Sequence, residues 1–337
     1  MSEPILKVDN LKTYFFLASG TAKAVDGVSF TLDKGETLGI VGESGSGKSV
    51  TAKSIIRLLE AVGRIVDGSI LFEGKDVLKM DNKELMDYRG RDASMIFQDP
   101  MTSLDPVFKI GYQMVENMRA HQDISREEAK KTCIQALRAV GIPQPEVRFD
   151  SYAFELSGGM CQRVIIAMAL CSGAKLIIAD EPTTALDVTV QAQVLKLLKQ
   201  LQEQNDMALL LITHNLGVVW EMCDKVMVMY AGKNVEYTTT GRLYEKPLHP
   251  YTWGLLDSMP SLSLDSKEEL KTIKGTPPDL RLTGTCCNFY NRCPYVKPIC
   301  RQCVPEQVEV EPGHFVSCHF QTKEKRLTRG EVNPYEE

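Results

Sequence analysis

An α/β fold around a buried parallel sheet, with one phosphate-binding site, is what this sequence predicts, on three observations. A glycine-rich G-x-x-x-x-G-K-S run lies between an apolar strand and a helical stretch. Several short, wholly apolar runs end on polar residues with chemistry to offer. A second, serine-led turn opens a helix on two glycines.

The first run is Gly42-Glu43-Ser44-Gly45-Ser46-Gly47-Lys48-Ser49. Its glycines let the backbone wrap an anion, and consecutive N–H groups at a helix start point at phosphates. Lys48 places a cation on the terminal phosphates, and the Ser49 hydroxyl can complete a magnesium shell. The context agrees: Thr37-Leu38-Gly39-Ile40-Val41 reads as a strand before the loop, and Ser49 to Leu59 as a helix after it. A chain with this arrangement is expected to bind a nucleoside triphosphate.

The other apolar runs are Ser94-Met95-Ile96-Phe97, stopping at Gln98; Leu176-Ile177-Ile178-Ala179, stopping at Asp180-Glu181; and Ala208 to Thr213, stopping at His214. They are apolar throughout rather than alternating, which is the signature of parallel strands buried on both faces. Ligands of open α/β sheets sit at the carboxyl ends of strands, so these endings predict one convergent site. Asp180 is placed to hold magnesium and Glu181 to take a proton from the attacking water. Gln98 and His214 can orient that water and sense the γ-phosphate. Phosphoryl transfer is mostly positioning and charge stabilisation, so these few groups suffice. Singly, Asp180-Glu181 also reads as a solvated turn and His214 as a structural histidine.

Leu156-Ser157-Gly158-Gly159-Met160-Cys161-Gln162-Arg163 opens another helix, with Ser157 as N-cap and an apolar face from Val164 to Leu170. Its free N–H groups and positive dipole end form a second anion site. Because the loop at Gly42 already surrounds the phosphates, this second cradle is expected to serve a nucleotide held by another chain. Arg126 to Val140 reads as an amphipathic helix between the two.

Together these stretches resemble the ATPase subunit of an ABC transporter, and within it the oligopeptide/dipeptide/nickel permease group. The likeness rests on the phosphate loop, Phe97-Gln98-Asp99-Pro100, Leu156-Ser157-Gly158-Gly159-Met160, Asp180-Glu181-Pro182-Thr183-Thr184-Ala185-Leu186-Asp187 and Ile212-Thr213-His214, in that order. Pro247-Leu248-His249-Pro250-Tyr251-Thr252 resembles the start of the extra C-terminal region of the peptide-permease group. The resemblance implies a head-to-tail dimer sandwiching two ATP molecules. Ser157, Gly158 and Gly159 would then meet the partner's γ-phosphate, with Asp187 at the seam. It implies nucleotide contacts from Gly42 through Ser49 and Val50, magnesium held with Ser49, Gln98 and Asp180, and catalysis by Glu181 with His214 and Gln98. Phe15 aligns with the aromatic that stacks on adenine; its neighbour Tyr14 stays open.

The same resemblance implies the domain plan. Residues 1–98 and 165–246 form a RecA-like core with an N-terminal antiparallel β part, and 99–164 a helical signature subdomain. Residues 247–337 form a small Cys-rich extension. The expected partners are a second, related but non-identical ATPase chain, two membrane-spanning permease subunits and, indirectly, an extracellular solute-binding protein. Met101-Thr102-Ser103-Leu104-Asp105-Pro106 is the expected contact with the membrane subunit. The expected role is to power import of di- or oligopeptides from the cytoplasmic face of the membrane. Nickel or oligosaccharide import is the alternative within the group, and a soluble ABC ATPase acting on DNA or ribosomes the alternative outside it. Cys161 stands where a polar or basic residue is usual in the family, and Asn215 where an acid is common.

Bulk composition narrows the classes. Across 337 residues, 39 Lys and Arg against 44 Asp and Glu give a net charge of −5, so no global basic field favours nucleic acid. Met1-Ser2-Glu3-Pro4 carries no signal pattern, and no apolar run approaches the roughly 18–20 residues that cross a bilayer. Six of the ten cysteines lie between Cys286 and Cys318. Cys287-x5-Cys293-x6-Cys300-x17-Cys318 supplies four soft thiolates, suited to an iron–sulfur cluster or to tetrahedral zinc. The resemblance favours a [4Fe–4S] cluster on this spacing. Zinc is the runner-up, because Cys300-Arg301-Gln302-Cys303 is also a C-x-x-C pair, and a set of buried free thiols is the bland alternative. Cys286 and Cys303 are left over under the cluster assignment, and His314 and His319 are open as ligands but read first as structural.

Overall fold

The computed structural model describes residues 3–184, 186–259 and 272–330. Ala185 of the Asp180–Asp187 motif, the stretch 260–271, and residues 1–2 and 331–337 lie outside the described residues. In chain order the strands are β1 (Leu6–Leu17), β2 (Gly20–Leu32), β3 (Thr37–Val41), β4 (Gly63–Phe72), β5 (Lys75–Asp76) and β6 (Ala93–Ile96). They continue with β7 (Leu176–Asp180), β8 (Ala208–Ile212), β9 (Lys225–Tyr230), β10 (Lys233–Thr239), β11 (Val308–Glu311) and β12 (His314–Val316). The chain divides into two compact units, one holding Leu32–Thr37 and Lys79–Ile212, the other Leu6–Thr31, Leu38–Leu78 and the described residues from Thr213 onward.

In the first unit β6, β7 and β8 run parallel, with Ile96 opposite Ala179 and Asp180 opposite Ile212. Every residue of β7 and β8 is buried, as continuous Leu, Ile and Ala runs require when both faces are covered. The helices Ile110–His121, Arg126–Ala139 and Gly158–Cys171 belong to the same unit. Arg126–Ala139 starts at a capping box in which Ser125 and Glu128 satisfy each other's backbone donors, and it buries Ala129, Cys133 and Leu137 on one stripe.

In the second unit β2, β1, β4 and β5 form an antiparallel sheet. The strand β3, wholly buried, pairs parallel with β9, and β9 pairs antiparallel with β10. The tail adds β12 to β10 and β11 to β12, both antiparallel. Part of the Cys-rich extension is therefore continuous with this sheet.

A buried carboxylate anchors that addition. Glu236 on β10 is fully buried and accepts the backbone N–H groups of Leu248 at 2.7 Å and His249 at 2.9 Å, and meets His314 Nε2 at 2.8 Å. The Nδ1 of His249 accepts the Tyr251 N–H at 3.0 Å and so caps the helix Pro250–Asp257. Burial pushes the His249 imidazole down to about 4, so it is neutral at pH 7. Removing one member of such a buried pair strands the other. Glu236→Ala is expected to lower stability by about 3–5 kcal/mol in urea denaturation, and a loss below about 1 kcal/mol would contradict the anchoring role.

The helix after the phosphate loop is shorter than its apolar spacing predicts. It runs Lys48–Ile55 rather than to Leu59, because Arg57 turns left-handed at φ 53° and its Nη1 donates to the Val77 carbonyl at 3.2 Å.

Candidate active site

The phosphate loop lies in the second unit, between β3 and the helix Lys48–Ile55. Its first glycine is obligatory: Gly42 has φ 153°, and a Cβ there would stand 2.1 Å from the Met229 carbonyl oxygen. Lys48 is buried, and its Nζ donates to the carbonyls of Gly42 at 2.9 Å and Glu43 at 3.0 Å. The Ser46 hydroxyl is buried with no hydrogen-bond partner among the described residues. An orphaned buried hydroxyl is costly, and a phosphate oxygen could accept from it. The loop therefore fits a triphosphate on its own geometry. Ser49 and Val50, half-buried, start the helix.

Tyr14 and Phe15 are adjacent on β1 and so point to opposite faces. The Tyr14 hydroxyl donates to Asp26 at 2.7 Å, while Phe15, half-buried, packs beside Gly63. His214, exposed, follows Thr213 beyond the end of β8. Asn215 is structural here. Its side chain accepts the Gly217 N–H at 2.9 Å and caps the helix Leu216–Met222.

In the first unit the ends of β6 and β7 bring two expected residues together. Gln98 Nε2 donates to Glu181 Oε2 at 3.1 Å. Thr184, which sequence reasoning assigned no role, donates to the same oxygen at 2.8 Å. Asp180 is buried at the last position of β7. Glu181 itself sits in the left-handed region at φ 47°, pinned by its N–H to the Ile212 carbonyl at 2.9 Å. Such strain in a non-glycine residue persists only where neighbours impose it. Nothing in residue type signals this; only the backbone shows it.

Ser157 caps the helix Gly158–Cys171, its Oγ accepting the Met160 N–H at 3.3 Å. Gly159 lies so close to the helix Val188–Asn205 that a Cβ would stand 2.9 Å from Val190 Cγ1. Ser157, Gly158 and Asp187 are exposed, and Asp187 caps Val188–Asn205 by accepting the Val190 N–H at 3.0 Å. Cys161 is fully buried, with its Sγ against the Ala153 carbonyl at 3.5 Å, so it packs as a small apolar residue.

In the tail, Cys287, Cys293, Cys300 and Cys318 line one cavity walled by Phe289, Phe320 and Tyr295. Burial pushes the thiols of Cys287 and Cys293 up to about 12 and that of Cys318 to about 11, so without a metal they are neutral. Among the described residues no group of three or more His, Cys, Asp or Glu could hold a metal ion. Cys286 and Cys303 do not line the cavity; His319 does, while His314 is committed to Glu236.

Among the described residues no helix is long and apolar enough to cross a membrane. Residues 25–184 match the ABC transporter family, and residues 235–300 match the oligopeptide/dipeptide transporter C-terminal region. The chain is 50% identical over 313 residues to the oligopeptide transport ATP-binding protein OppD of Bacillus subtilis, covering 93% of this chain and 87% of that one. It is 48% identical over 320 residues to the dipeptide transport ATP-binding protein DppD of the same organism, covering 95% of each. A dimeric post-hydrolysis structure of the ATP-binding cassette MJ0796, bound to ADP and Pi, shares the fold at TM-score 0.64 and 24% identity, over 70% of this chain and 98% of that one.

Proposed function

Because the chain belongs to the ABC transporter family, as an ATP-binding protein of the oligopeptide/dipeptide branch, we propose that it is the ATPase subunit of a peptide importer. The observation that carries this reading is near full-length similarity to peptide-transport ATP-binding proteins, tail included, around a loop built to take a triphosphate. Gly42 through Val50 hold the phosphates and Phe15 stacks on adenine, since the Tyr14 hydroxyl is engaged by Asp26. Ser49, Asp180 and Gln98 are the residues that would hold magnesium, which would supply charge neutralisation at the phosphates. Glu181, steadied by Gln98 and Thr184, accepts the proton of the attacking water, and His214 orients the γ-phosphate. The exposed start of Gly158–Cys171 serves the nucleotide of a partner ATPase, with Asp187 at the seam.

The partners in this reading are a related second ATPase and two membrane-spanning permease subunits at the cytoplasmic face, fed by a solute-binding protein. The contact with the membrane subunit extends the expected Met101–Pro106 stretch. Beyond it lie exposed Val107 and the stacked rings of Phe108 and Tyr112, 5.0 Å apart, on a cavity of about 480 Å³. Reconstituted with its natural partners in liposomes, the chain should support ATP-driven uptake of labelled dipeptides and oligopeptides. Uptake of nickel or an oligosaccharide, with none of peptide, would reassign the substrate.

For the tail we propose a [4Fe–4S] cluster on Cys287, Cys293, Cys300 and Cys318. What supports a metal group of either kind is that these four thiols line one cavity, and four soft thiolates suit an iron–sulfur cluster, with zinc as the alternative. Anaerobic purification should give a brown protein containing iron and sulfide, and treatment with an iron chelator should bleach it. A colourless anaerobic preparation holding zinc and no iron would reject the cluster.

A further inference from the structure

The tail grips the phosphate loop through one residue, Glu43. Arg292 makes a two-pronged contact with its carboxylate, Nη1 to Oε2 at 2.5 Å and Nη2 to Oε1 at 2.9 Å. The Arg292 side chain is only 4% exposed. Its other donors are also used: Nε reaches the Lys274 carbonyl at 3.0 Å, Nη1 the Tyr230 hydroxyl at 3.3 Å, and Nη2 the Ile273 carbonyl at 3.3 Å. All five guanidinium N–H groups therefore have an acceptor, a pattern the single ammonium of lysine cannot reproduce. The guanidinium also lies over the Tyr230 ring, 5.7 Å from its centroid. From the other side, the N–H of Glu43 donates to the hydroxyl of fully buried Tyr251 at 2.9 Å. One loop residue is thus held at side chain and backbone by two residues more than 200 positions away in sequence.

Two physical effects of this contact act in the same direction. A loop ordered in advance does not have to be ordered by its ligand, so affinity rises. Glu43 is also an anion within a site for a polyanion, and the fixed cation of Arg292 offsets its repulsion. We propose that Arg292 is a positioning residue for ATP binding, acting through Glu43, so that order in the Cys-rich tail sets the affinity of the phosphate loop. Arg292 immediately precedes Cys293, which makes the tail's own fold the source of that order. The proposal rests on the loop being an ATP site.

The test is a titration of the full-length chain with a fluorescent ATP analogue and magnesium, with the thermal midpoint of each variant recorded alongside. Arg292→Ala should weaken binding at least tenfold, and Arg292→Lys should fall between it and the parent. Glu43→Gln added to Arg292→Ala should recover part of the loss, because it removes the uncompensated anion; a purely structural role for Arg292 would give no such recovery. Affinity within twofold of the parent in Arg292→Ala, or a double variant no tighter than Arg292→Ala, would overturn the proposal. If Arg292→Ala does not fold, Arg292→Gln carries the test, with at least a fivefold loss expected and unchanged affinity overturning it. The parent and Lys48→Ala separate the two ideas. A parent that binds no nucleotide sinks the ATP reading, whereas normal parent binding, lost in Lys48→Ala but kept in the Arg292 variants, sinks only this proposal.

Discussion

Glu181→Gln is expected to keep ATP binding and to lose hydrolysis by about 10²–10⁴-fold, the usual worth of a general base. The substitution is a clean probe because of where the carboxylate sits. Glu181 Oε2 accepts from both Gln98 and Thr184, and a glutamine carbonyl oxygen can receive the same two donors. The strained backbone at φ 47° is held by the bond to the Ile212 carbonyl, which the substitution does not touch. Only the ability to take a proton is removed. Steady-state phosphate release, measured with the partner subunits present, reads the chemistry, and nucleotide titration reads binding. Turnover comparable to the parent would remove Glu181 from the role of base.

Lys48→Ala should act one step earlier and weaken ATP binding itself by roughly 10²-fold. A charge-assisted hydrogen bond is worth about 1.5–3 kcal/mol, and 1.4 kcal/mol is a tenfold change in affinity. The ammonium also serves the loop before nucleotide arrives, through the Gly42 and Glu43 carbonyls at 2.9 and 3.0 Å. Its removal therefore deletes a phosphate contact and loosens the cradle together. Calorimetric titration with magnesium-ATP measures the loss; unchanged affinity would refute the account of the phosphate loop.

The two variants differ in how readable their sites are from residues alone. The phosphate loop is legible because its chemistry is local: glycine conformations, a helix start and a lysine lie within eight consecutive positions. The strand ends at Val41, Asp180 and Ile212 are legible for a related reason, since runs buried on both faces must be apolar and stop where polarity begins. The capping serine at Ser157 follows from the demand of a helix start for an acceptor. By contrast, the premature stop at Ile55 is hidden by the apolar Leu58 and Leu59 that continue the helical pattern. The role of Thr184 is likewise hidden, because threonine three residues beyond a glutamate reads as an ordinary turn.

What the sequence alone determined about this protein is the set of chemical parts: a lysine cradle, a serine-capped helix, carboxylates at strand ends, and four spaced thiols. Each is written in spacing, because backbone geometry repeats over a few residues. Tertiary structure alone decided which distant parts touch. It joined Arg292 to Glu43 across 249 positions, closed Glu236 on His314 across 78, and turned Glu181 left-handed. Such contacts depend on how sheets and tail close upon one another, and no local pattern of residue types encodes that closure.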